Sequence, residues 1–173
     1  MHTWSAMRRK LETEYLAESL RGRLTYFVTC YHKTHDGDEG RAAIRPDGCE
    51  ILKSNYYERY GAMWQAYEMR KAEPGADLSE SWRQAAYDAL HDGTFCQADF
   101  YRAFREFDAQ SIAESLQSEN ALVRMFALLD RRTGKRTLLR LKPQMEQAPD
   151  WLQMIYLLRL SAEHIQITTG EQE

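Results

Sequence analysis

Cysteine is scarce in this 173-residue chain. Cys30, Cys49 and Cys96 are its only three, and they form no CxxC pair. They are too few and too scattered for a disulfide framework, and the nearby histidines complete no zinc pattern. The sequence therefore predicts reduced thiols. Long apolar runs are missing as well. The tightest, Met125 to Leu129 and Met154 to Leu158, are core-helix lengths, well short of the roughly 18 residues that span a bilayer. Glu12, Glu14 and Glu18 stand where a secretory signal would be apolar, which argues for a cytoplasmic location without a membrane partner. No GxSxG, HExxH, GxxxxGK[ST] or GxGxxG occurs, so common hydrolase and nucleotide-binding designs lack support. No convincing internal repeat is present.

What is present is an ordinary globular composition. Hydrophobic residues make up 43% and the formal net charge is -3, which argues against disorder. A chain of this length buries roughly 70% of its unfolded surface as one domain, so the fold needs no metal or disulfide. Ten Tyr and four Trp are a rich aromatic complement. Charge is unevenly spread. Residues 75–119 hold nine acidic and three basic side chains, whereas Arg124 to Lys142 holds seven basic residues and one acid, Asp130.

Periodicity predicts the elements. Trp4, Met7, Leu11 and Tyr15 mark an amphipathic helix over residues 4–21, closed by Gly22. The period then becomes two: Leu24, Tyr26, Val28 and Cys30 alternate with Thr25, Phe27, Thr29 and Tyr31. Arg41 to Arg45 and Cys49 to Lys53 complete a three-stranded antiparallel meander, with turn chemistry at Pro46-Asp47-Gly48. So small a sheet must pack on helices.

The remainder reads as helical. Asn55 with Glu58 opens one helix, and Pro74-Gly75 stops it. Asp77 with Glu80 opens a second, closed by Gly93, and Thr94 with Gln97 a third, with Phe100, Phe104 and Phe107 inside. A short helix lies around Ile112 to Leu116. A further one carries Leu122, Val123, Phe126 and Leu129 and breaks at Thr133-Gly134. The basic segment Lys135 to Lys142 stops at Pro143, and Pro149 begins a last helix. The expected fold is α+β: an N-terminal helix, a three-stranded antiparallel meander, then a mostly helical C-terminal two-thirds. It forms a single domain over 1–173, with the helix and meander in 1–54, a helical part in 55–167 and a frayed tail in 168–173.

LRGRLTYFVTCY, the hairpin EGRAAIRPDGCEI, NALVRMFALLDRRTGKRTLLRL and WLQMIYLLRLSAE together resemble a family of small uncharacterised bacterial proteins. That family has an N-terminal helix, a short β-meander and a helical remainder. The resemblance implies this architecture and a bacterial cytosolic setting. It brings no activity, ligand or functional residue.

Four groups of residues carry chemistry. The basic stretch offers Arg131, Arg132, Lys135, Arg136 and Arg140 to an anion or an acidic partner. If the stretch were one helix, Arg132, Arg136 and Arg140 would share a face, and the helix start after Gly134 would favour an anion. The commoner reading of such a run is a solvated face balancing the acidic middle. The loop YHKTHDGDEG gathers His32, His35, Asp36, Asp38 and Glu39, types suited to a cation or to acid–base work. Its spacing is not that of an EF-hand, and turn geometry alone accounts for its Asp-Gly and Glu-Gly pairs. Cys30 and His32 lie two apart on a strand, about 7 Å between Cα atoms, with no third residue to orient a nucleophile. Tyr56, Tyr57, Tyr60, Trp64 and Tyr67 form an aromatic stripe. A stripe at helical spacing reads first as core. Tyr56 and Tyr57 cannot both face that core, which leaves Tyr56, Tyr57 and Tyr60 as interface candidates.

The leading expectation is a binding or interaction module without catalysis, cofactor or metal. Its partner is another protein or a second copy of itself, with acidic and basic segments meeting across the contact. The alternative is a weak nucleic-acid or phosphate-ligand binder through segment 131–142. A pI near 6.0 and few available phosphate contacts count against strong nucleic-acid binding. A third is an enzyme using His32, His35 and the nearby acids.

Overall fold

The computed structural model describes residues 3–30 and 40–166. Their order is a short helix α1 (Trp4–Arg9), three strands, β1 (Leu24–Cys30), β2 (Gly40–Pro46) and β3 (Leu52–Asn55), then eight helices. These are α2 (Tyr56–Lys71), α3 (Leu78–His91), α4 (Gln97–Ala109), α5 (Ile112–Leu116), α6 (Ala121–Leu129), α7 (Lys135–Arg140), α8 (Lys142–Met145) and α9 (Asp150–Ala162). The α+β class is the one expected.

The first helix is shorter than its apolar period predicts. After Arg9 it widens into a π-helical turn, Lys10–Tyr15, and then ends. The cause is tertiary: Leu16 forms an isolated antiparallel bridge with Asp130. Ala17 N–H donates to the Leu129 carbonyl at 2.9 Å, and Arg131 N–H donates to the Tyr15 carbonyl at 2.7 Å. A helix continued to residue 21 would forfeit both bonds. Gly22 does take a left-handed conformation (φ 75°), but in the turn before β1.

The sheet has the order β1-β2-β3 and is antiparallel throughout. Tyr26 faces Ile44, and Ile44 faces Leu52. Leu24, Tyr26 and Val28 are buried, as the alternation predicts. Phe27 points to the other face, where the Arg41 and Arg45 guanidinium groups lie 5.4 and 4.3 Å from its ring centre. Glu50 ties both arginines. Both Asp47 and Gly48 have positive φ, the twist that a two-residue hairpin turn needs. The third strand begins at Leu52 rather than at Cys49, because residues 49–51 carry Glu50 round to those two arginines.

Phe100 is the centre of the core. It is fully buried and meets Trp4, Tyr26, Phe95 and Phe126 ring to ring, Phe126 at 5.1 Å and 86°. Such edge-on pairs add about 0.5–1.5 kcal/mol beyond area burial. Eight of the nine α6 residues are buried, as befits a helix apolar all round. It packs between α4 and α9. Further boundaries differ from the sequence reading. Cys96, not Thr94, caps α4, its N–H donating to Asp99 Oδ2 at 3.1 Å. Helix α6 ends at Leu129, where Asp130 turns extended to meet Leu16. Pro143 sits in the first turn of α8 rather than stopping a longer helix, a place where its missing N–H costs nothing.

Candidate functional site

The aromatic stripe lies on a helical hairpin, α2 against α3. Asn55 caps α2: its side chain accepts from the Tyr57 and Glu58 N–H groups at 2.9 and 3.1 Å, and Glu58 returns a bond to Asn55 N–H at 3.2 Å. The one buried residue of α2 is polar, Arg59. Its Nε donates to Asp99 Oδ2 at 2.7 Å and its Nη2 to the Ala86 carbonyl at 3.3 Å. Arg70 holds Asp88 of α3 at 2.6 Å. Ion pairs therefore fasten the inner side of α2, and its aromatic groups turn outward.

That outward turn corrects the reading of the stripe as core. Tyr57 is 67% exposed, Tyr60 and Trp64 45% each, while Tyr56 and Tyr67 are half-buried. The rings stack on one another instead. Tyr56–Tyr60 and Tyr60–Trp64 are stacked at 6.1 and 6.2 Å, and Trp82 of α3 stands edge-on to Tyr67 at 5.1 Å. Tyr56, Tyr57 and Tyr60 thus share one surface with Trp64 and Trp82. Met69 and Leu78 are also exposed on this hairpin.

The basic segment divides. Asp130 is buried and accepts from Arg132 N–H, Nε and Nη2 at 2.6, 3.0 and 2.8 Å. The Arg132 guanidinium also lies 4.9 Å from the Tyr15 ring centre. Arg132 precedes α7, so it does not share a helix face with Arg136 and Arg140, contrary to the single-helix expectation. Those two are exposed on α7, Arg140 near Thr137 Oγ1 at 3.5 Å.

Arg131 and Lys135 come together at a cleft of about 390 Å³ between the Ala17–Ser19 turn, the Thr133–Gly134 turn and α9. Its floor holds Arg159, which the sequence reading missed. Arg159 is only 3% exposed. Its Nη2 donates to the Thr133 carbonyl at 3.1 Å and approaches Glu163 Oε1 at 3.3 Å. Its Nε and Nη1 have no hydrogen-bond partner among the described residues. Burial pushes this guanidinium below its usual pKa, against the opposing pull of Glu163 and Asp130. Ser19 Oγ donates to Glu163 Oε1 at 2.7 Å, and Lys135 Nζ to the Glu163 carbonyl at 3.0 Å. An arginine set inside the apolar run LLRLSA was the signal available, since a charge there must find a purpose-built surrounding.

A second cleft, about 440 Å³, contains Arg59, Arg83 and Arg102 beside Glu106 and Glu119. Its cations face acids, Arg59 and Arg102 sharing Asp99 and Arg83 meeting Glu80, although Arg59 Nη1 is enclosed without a hydrogen-bond partner among the described residues.

His32, His35, Asp36, Asp38 and Glu39 lie outside the described residues. Among the described residues no cluster of three His, Cys, Asp or Glu side chains could hold a metal, and no helix is long and apolar enough to cross a membrane. Cys96 is buried, and that burial, with the Asp99 charge adding to it, pushes its thiol up to about 11, the opposite of nucleophile activation. A model of the SF0329 protein family matches residues 3–160. No curated protein and no solved structure matches the chain.

Proposed function

The chain belongs to the SF0329 protein family, and we propose that it is an interaction module of the bacterial cytoplasm that binds a second copy of itself through the aromatic face of α2 and α3. The observation that carries this reading is the surface ladder Tyr56–Tyr60–Trp64–Tyr67–Trp82. These aromatic groups are expensive to leave in water, and Tyr and Trp are enriched at protein interfaces. The ladder is stacked in advance, so little side-chain entropy is lost on docking.

A second copy is the occupant that the charges favour. Helix α2 holds three basic and two acidic side chains, α3 one basic and two acidic. The two helices together are neutral, with Glu73 and Asp77 confined to their connection, so two such helix faces meet without net repulsion, and a two-fold contact between like patches is the commonest assembly. Aromatic burial would then drive association in place of the acid–base pairing expected from the sequence. The exposed thiol of Cys49 suits a reducing compartment.

Sedimentation velocity over a range of protein concentrations tests the reading. The expected result is a dimer that persists in high salt and becomes monomeric on Trp64→Glu or Tyr60→Glu, with far-UV circular dichroism unchanged. A monomer at every concentration overturns it.

A further inference from the structure

We propose that the cleft floored by Arg159 and rimmed by Arg131 and Lys135 binds a phosphate-class oxyanion, either free or as the terminal phosphoryl group of a small molecule. This inference stands apart from the aromatic face.

The cleft holds more positive charge than its own acids neutralise. Three cations converge on it from three places in the chain: Arg131 from the turn after α6, Lys135 from the start of α7, Arg159 from α9. Glu163 is the one acid within it that is largely enclosed. It already serves Arg159, Ser19 and, at 3.9 Å, Lys135. Glu18 stands at the edge, largely exposed and facing Arg21 at 3.8 Å. Arg132 adds nothing to the excess, because Asp130 neutralises it.

Arg159 makes the excess consequential. A guanidinium is rarely taken out of water unless its charge and its donors are matched. Here two nitrogens are enclosed without a partner. An anion in the cleft would meet the donors of Arg131 and Lys135 directly and feel the Arg159 charge through a floor of low dielectric. The Arg131 backbone is pinned by its bond to Tyr15, which fixes where that side chain emerges. A volume of about 390 Å³ admits a phosphate or a small phosphomonoester. Donors arriving from separate elements suit a tetrahedral group carrying nearly two charges and three acceptor oxygens. A carboxylate would bring one charge, and Glu163 already supplies that.

The test is a titration of the full chain with inorganic phosphate, against sodium chloride at matched ionic strength, followed by ¹⁵N–¹H correlation spectra. The expected result is saturable, phosphate-specific shifts at the amides of Gly134, Lys135 and Arg159. Arg131→Ala and Lys135→Ala, both at exposed positions, should each weaken binding about tenfold. Arg136→Ala and Arg140→Ala should leave it unchanged. A nucleoside monophosphate run in parallel identifies the source: tighter binding than inorganic phosphate assigns a phosphorylated small molecule, equal or weaker binding assigns the free ion. Shifts no larger than those in chloride overturn the proposal. So does binding of an unphosphorylated oligonucleotide that depends on Arg136 and Arg140 as strongly as on Arg131, which would make the segment a general nucleic-acid surface.

Discussion

Replacing Gly61 with alanine should stabilise the protein, and the same added methyl at Gly40 should do the reverse. Gly61 lies mid-helix in α2 and is exposed, with no atom within 4 Å of where a Cβ would sit. Alanine there gains about 1 kcal/mol of helix propensity, partly by restricting the unfolded chain. In a protein of this size that raises Tm by about 2–4 °C, and it should slow hydrogen exchange of the α2 amides about fivefold. At Gly40 the Cβ would stand 2.5 Å from the Thr29 carbonyl oxygen on β1 and collide with the Gln97 side chain. The backbone cannot step aside without loosening the β1–β2 ladder, so overpacking should cost about 1–3 kcal/mol. Both variants restrict the unfolded state alike, and their separation of about 2–4 kcal/mol reports the two native surroundings. Urea unfolding followed by circular dichroism and fluorescence measures it. A Gly61→Ala protein no more stable than the parent, or a Gly40→Ala protein equally stable, would refute the account of both sites.

Two further outcomes follow from the side chains. The hydrogen bond from Arg45, aided by the nearby Arg41 charge, holds the Glu50 carboxyl below its ordinary range against a weaker opposing desolvation. A lowered folded pKa gives stability that is complete above the unfolded value of about 4.3 and disappears as pH falls through the folded one. Tm measured from neutral pH downward should therefore fall less steeply below about pH 4 in Glu50→Gln than in the parent, and parallel curves would contradict the pairing. Iodoacetamide at neutral pH, read by mass spectrometry, should alkylate exposed Cys49 quickly. It should leave Cys96 untouched until the chain unfolds, because that thiol is buried and pushed up to about 11. Rapid modification of Cys96 in the native protein would contradict its placement.

Local chemistry was readable wherever a local rule decides the outcome. The alternation of Leu24, Tyr26 and Val28, the capping box of Asn55 with Glu58, the Asp77 cap and the Ile112–Leu116 helix all appear where the sequence places them. What could not be read depends on partners far along the chain. Leu16 leaves its helix to pair with Asp130, more than a hundred residues away. Arg132 is drawn onto distant Tyr15, as well as onto its neighbour Asp130, and away from Arg136. The aromatic stripe has the period of a buried face, but periodicity cannot tell whether a core exists opposite it, and Arg59 takes the inward position. The cleft was half-legible: Arg131 and Lys135 stand out in a basic run, whereas Arg159 acquires its part only once α9 folds against Thr133.

The Leu16–Asp130 bridge has a consequence for how the protein comes into being. It seats the Ala17–Ser19 turn beside residues 131–135, and Ser19 in turn grips Glu163. Three stretches, separated by more than a hundred residues and then by about thirty, must meet before the pocket has walls. A nascent chain still missing its last helix therefore carries the arginine of the turn without the arginine beneath it, and a fragment lacking the first twenty residues leaves one side open. An anion bound there would therefore report that these three stretches have met.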